Sequence, residues 1–340
     1  MAFTDIDNPE LYMQCKIYTG NATDDTAITL DGDENMQPDL VWIKDRTNGN
    51  HHRIYDSVRG ATKVIYSSLT NAEGTASTGL KSFDSDGFTL GTGSDENGSG
   101  AAIVAWCWKE SATAGFDIVT YTGNATSGNT VSHSLSAVPE FITTKRTNGG
   151  DGGQWNCYHV GTDSSAPEDK YVLLNSTSAV LDSATRWNDT APTSSIFTLG
   201  SSGDLNDNSN AHVAYLWRSV QGYSKIGSYT GNGNADGIYL HLGFRPAFFI
   251  CKRYNDSGYD WLMYDNKRQV SFNVIDDFLK PNLADAETTG NANQSLDFLS
   301  NGVKFRGNGA SSNGSGASYI FMAFAEAPFV NSNGVPCNAR

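Results

Sequence analysis

Apolar residues along this chain either alternate with polar ones or gather in short runs, and neither pattern has a helical period. Ile28 and Leu30, then Val131, His133 and Leu135, then Ile238, Leu240 and Leu242 follow the period-two pattern of strands with one buried face. "LVWI" (40–43), "FFIC" (248–251) and "AAIVAWCW" (101–108) are almost continuously apolar and predict strands covered on both sides. Pro38, Pro139 and Pro246 stand near the entrances of three such strands, where a missing N–H breaks no ladder bond. Gly or Asn interrupts nearly every other window, so long helices are not expected.

The same phrases return in the same order. "YTGNAT" occupies 18–23 and 121–126, and "YTGNGN" follows at 229–234. Each phrase predicts a strand turning back on Gly-Asn, a dipeptide suited to tight turns with positive φ. Six residues after each proline comes a lysine, Lys44, Lys145 or Lys252. Next come the pairs Tyr55-Asp56, Tyr158-His159 and Tyr264-Asp265, then closing strands that carry Trp108, Trp217 and Phe324. "NGSGA" precedes the first and third closing strands. A period of about 105 residues is too long for a solenoid repeat and suits a small domain. The expected fold is all-β, with three tandem β-sandwich (jelly-roll-like) modules at 1–110, 111–220 and 221–328 and a polar tail at 329–340.

Charge and cysteines narrow the function. A net charge of −14 opposes binding to nucleic acid or anionic lipid. No apolar run approaches the length of a membrane-spanning helix, and the first residues lack the basic and apolar regions of a signal peptide. Five cysteines at unmatched repeat positions argue against a disulfide framework, and Cys107, Cys157 and Cys251 read as small buried hydrophobes.

The run "YTGN…PDLVWIKDR…HHRIYDSVRG…FDSDGFTLG…NGSGAAIVAWCWK" resembles a module repeated in virion proteins of marine and cyanobacterial tailed phages. The resemblance is strongest in the first unit; the second lacks "DSVRG" and the third has different core residues. It implies a virion structural protein, either a tail-fibre, receptor-binding or other attachment component, or alternatively a capsid decoration protein. It also implies assembly in a host cytoplasm, other virion proteins and a host surface glycan as partners, and a homotrimer as a reasonable state. A cell-surface adhesin fits the N-terminal sequence less well.

Enzymatic signatures are missing: the chain has no HExxH, GxSxG or P-loop. A polysaccharide depolymerase would need a carboxylate pair that sequence alone does not single out. No cofactor is expected. Sugar binding would use loop aromatics, for which Trp187, Tyr254 and Tyr259 are the candidates because they fall in loops of one unit only. Asp204, Asn206 and Asn208 alternate as at the start of a calcium loop but lack its Gly and Glu, and a hydrogen-bonded turn is the alternative.

Overall fold

A computed structural model describes residues 4–337 except Val270. The fold is all-β and its sheets are antiparallel. In the first repeat the opening strand Met13–Thr19, closing strand Ala102–Trp108, proline strand Leu40–Asp45, marker strand Arg53–Asp56, and Lys63–Tyr66 and Gly74–Thr75 form one sheet in that order. A smaller sheet of Thr26–Thr29, Gly87–Leu90 and Leu80–Asp84 lies against it. The second repeat writes the large sheet in the same order, and the third keeps its first four strands. Register repeats as well: Trp108 pairs with Met13 and Leu40, Trp217 with Phe116 and Phe141, and Phe324 with Ser224 and Phe248.

The continuously apolar strands are explained by two cores. Along the first closing strand, Ile103, Ala105 and Cys107 face the sandwich interior with Val41 and Ile43. Val104, Trp106 and Trp108 point the other way, into a core that takes residues from all three repeats. There Trp108 meets Trp217 edge-on at 6.5 Å between ring centres and Phe324 at 5.7 Å. The residues that mark the repeat period thus converge on one axis, and the three large sheets surround it.

Main-chain bonds stitch the sheets into a ring. Glu73 N donates to Thr147 O, Val180 N to Tyr254 O and Glu287 N to Arg46 O, at 2.7–3.0 Å. These bonds join repeat 1 to 2, 2 to 3 and 3 to 1. The post-proline lysines follow the same cycle: Lys145 Nζ donates to Thr70 O, Lys252 to Thr177 O and Lys44 to Ala284 O. Trp155 Nε1 reaches Tyr66 O and Trp261 Nε1 reaches Leu173 O. His52 fills the corresponding slot at the third junction, beside the Lys280 main chain.

The YTGN phrase differs from its expected form. Met13–Thr19 and Thr26–Thr29 belong to different sheets, so the phrase crosses between layers and makes no hairpin. Positive φ falls on Ala22, Ala125 and Gly233, beyond the Gly-Asn dipeptide. Gly20 is required for space, since a Cβ there would lie 2.2 Å from Gly98 O; Gly123 and Gly231 are equally confined. The confinement comes from a buried asparagine in the "NGSGA" region. Asn97 Oδ1 accepts from Asn21 N, and its Nδ2 donates to Thr23 O and Gly91 O. Asn206 and Asn313 repeat all three bonds. Tyr18, Tyr121 and Tyr229 each donate to the carbonyl just before their asparagine. The phrase recurs because it is half of a clasp that joins the start of a repeat to its end.

Two outcomes follow. Residues 111–220 expressed alone would leave Trp217, Tyr215 and Phe141 exposed on the inner sheet face, so the fragment will not fold cooperatively, whereas the full chain will unfold in one transition by calorimetry. Asn206→Ala leaves the Asn124 N–H and the Thr126 and Gly200 carbonyls without their side-chain partner and will cost about 3 kcal/mol in denaturant melts.

Candidate functional site

The repeats supply an internal control, because a polar group that recurs in three equivalent places is serving the fold. His51 Nδ1 lies 2.8 Å from Ser68 Oγ and looks like a hydrolase dyad. The same two positions hold Gln154 and Asn175 in repeat 2, bonded at 2.7 Å, and Asp260 and Asn282 in repeat 3, also at 2.7 Å. Asn175 and Asn282 also accept from the main-chain N–H of Trp155 and Trp261 at the repeat junctions. The pair is a structural contact made with three different chemistries.

The marker strands are absorbed in the same way. Asp56 Oδ2 accepts from Tyr215 Oη at 2.6 Å and from Arg59, which also reaches Glu73. Asp265 Oδ2 accepts from Trp106 Nε1 at 2.9 Å and from Arg268, which pairs with Glu287. Trp106 and Tyr215 occupy equivalent closing-strand positions, and Met322 is their counterpart in repeat 3. Methionine has no proton to donate. Accordingly the residue facing it is His159, whose Nε2 donates to Phe321 O at 3.1 Å and whose Nδ1 accepts from Gly161 N. Both contacts fix the neutral Nε2–H tautomer.

Burial shapes the titration of these groups. Desolvation pulls Lys44, Lys145 and Lys252 down to about 8, 7 and 8, while their ammonium protons point at main-chain carbonyls. It pulls His159 and His212 down to about 4, and His52 well below its ordinary value.

The residues singled out from sequence fare differently. Trp187 is only 2% exposed; it packs edge-on against Tyr158 and Phe197 within the second sandwich and is a core residue, not a surface ligand contact. The short helix Ala184–Trp187 rotates it inward, which its loop-like sequence concealed. Tyr254 and Tyr259 are half-buried. Tyr254 is held through its main chain between Val180 and Ser318, and Tyr259 lies beneath the Arg253 guanidinium at 4.0 Å. Their loop is docked on repeat 2 through Gly258 N to Thr177 O and Ala179 N to Ser257 Oγ.

Asp204, Asn206 and Asn208 do not converge on a metal site. Asp204 pairs with Arg186 at 3.1 Å, Asn206 is the buried clasp residue and Asn208 is exposed. Among the described residues no group of His, Cys, Asp or Glu is arranged to hold a metal. Cys15, Cys107, Cys157 and Cys251 are buried free thiols.

What remains for a ligand or partner is an asymmetry. Repeats 1 and 2 expose isolated aliphatics such as Val58 and Val138, whereas repeat 3 exposes Tyr239, Phe272 and Val274, with Phe329 and Val335 just beyond it. Its proline and closing strands are also longer, and Phe244 pairs with Pro328 beyond the register shared with the other repeats. Sequence comparison of the repeats could have found this surface, because Phe272 lies in a segment, 266–277, that repeat 1 spans with residues 57–63.

The molecule is therefore a tandem-repeat β-sandwich protein whose repeats share a core and whose exposed aromatic residues lie on one side. The chain belongs to the family described as Domain of unknown function (DUF7483), and the match runs over residues 8–328, across all three repeats as one unit. No curated protein matches it.

Stability will fall on acidification. The histidines have folded pKa values below their unfolded value near 6.5, so between about pH 6.5 and 4 the unfolded chain binds more protons and the native state loses ground. The lysines act in the same sense between about pH 10 and 7. Thermal midpoints measured across this range will rise with pH from 4 to 9, and Lys145→Met will flatten the rise above pH 7.

Proposed function

We propose that this protein is a non-enzymatic structural component of a bacteriophage particle, exposed on its surface and serving attachment to the host. The observation that carries this reading is that the exposed aromatic side chains, Tyr239, Phe272 and Phe329, fall on and just beyond repeat 3, whereas repeats 1 and 2 expose only aliphatics among the large hydrophobics of the described residues. The sequence resemblance to phage virion modules supports it. So does the use of the most perturbed buried groups in repeat junctions, which leaves them poorly placed for acid–base chemistry. The acidic surface favours neutral partners over nucleic acid or anionic membrane.

Capsid decoration is the second reading, favoured by the purely apolar character of Val274, Phe329 and Val335, which suits a protein contact more than a sugar. Immunogold electron microscopy of purified particles, with antibody raised against the folded chain, separates the two. Gold at the tail or its fibres is the expected result. Gold over the head would establish decoration in its place, and unlabelled particles would remove both.

A further inference from the structure

We infer that a cleft on repeat 3, between Phe272 and the turn at Ser300-Asn301, is a binding site for one or two rings of a neutral saccharide. This deepens the attachment reading and rests on it for biological sense, although the chemistry is argued from the cleft itself. Its volume is about 300 Å3, at the small end of ligand pockets and too little for an extended chain. Arg245, Phe272, Asn273, Phe298 and Asn301 are among its lining residues.

Arg245 is 6% exposed, with its Nε 2.9 Å from Glu326 Oε2 and its guanidinium carbon 3.9 Å from the centre of the Phe272 ring. Glu326 matches the arginine charge, so the cleft offers no net positive field to an anion, and the net charge of −14 opposes acidic sugars further. The stack positions Phe272, which remains 40% exposed at the mouth. An aromatic ring there provides the apolar platform that the C–H face of a pyranose requires.

Hydroxyl recognition falls to Asn301, another lining residue. Asn301 O accepts from Leu242 N, Gly243 N and Tyr239 Oη, which fixes the turn. The Asn301 side-chain amide makes no hydrogen bond among the described residues, leaving a donor and an acceptor for vicinal hydroxyls. The residue at this turn position in repeat 1, Asp86, uses its carboxylate on Met36 N at 3.3 Å. Repeat 3 satisfies the neighbouring main chain through Asn301 O and so releases the side chain. Asn273 is not available in this way: it bonds both N and O of Phe298 and serves as a rigid wall.

Saturation-transfer NMR on the purified full chain, with glucose, galactose and N-acetylglucosamine as probes, tests the site. At least one probe should give saturable ring-proton signals with Kd of about 1 mM, weak as befits a single ring. Binding should weaken at least about tenfold in both Phe272→Ala and Asn301→Ala. Tyr259→Ala should bind as the parent does. Unchanged circular dichroism and thermal midpoints will confirm that the variants fold. Silence with all three sugars, or signals that survive both cleft variants, overturns the site. Loss of incorporation into particles in Phe272→Ala without sugar binding would reassign the cleft to a protein contact. Tail labelling combined with a silent cleft would sink this site and leave the attachment reading standing.

Discussion

The structure depends on one constraint: each large sheet is apolar on both faces, while its own sandwich can cover only one. Trp106 and Cys107 are adjacent, fully buried, and belong to different cores. A single repeat therefore has an unsatisfied hydrophobic face, and mutual burial of three such faces around an axis relieves it. Everything polar at the junctions follows from that burial. Lysine ammoniums lie on carbonyls, the Trp155 and Trp261 N–H groups reach main chain, and Asp56 and Asp265 take one donor each from the next sheet, because burying such a group without a partner costs free energy.

This constraint also separates what could be read from the sequence from what could not. The all-β class and the doubly covered strands follow from local composition, as "LVWI" and "AAIVAWCW" illustrate. The recurring lysines and the Tyr-Asp pairs were visible as marks, but their roles were not, because Lys145 and Asp56 act on residues of another repeat far away in the chain. The YTGN crossing reads as a hairpin since nothing local says that its two flanking strands enter different sheets. Trp187 reads as a surface residue because a one-turn helix within a polar loop hides which way its side chain turns. Phe272 carries no repeat signal because it lies in a segment that is longer in repeat 3 than in repeat 1.

Compared with one another, the three copies show compensated change. The switch from a donor side chain to Met322 in one repeat is matched by the switch from aspartate to His159 in its neighbour, and the hydrogen bond moves to main chain. The His51–Ser68, Gln154–Asn175 and Asp260–Asn282 pairs keep a distance of 2.7–2.8 Å with three different residue pairs.

The three junctions are not equal in kind. Two carry buried arginine–carboxylate networks, Arg59 with Asp56 and Glu73, and Arg268 with Asp265 and Glu287, whereas the junction of repeats 2 and 3 has the neutral His159 contact. Chain continuity is distributed differently. Short connections bridge repeat 1 to 2 and repeat 2 to 3, but the junction of 3 with 1 joins strands from opposite ends of the sequence. The ionic network at the junction of 3 with 1 therefore lacks the peptide connection that backs the one between repeats 1 and 2. In polymer terms the ring is a split washer, and Arg268, Glu287 and Arg46 act as the fastener across its gap.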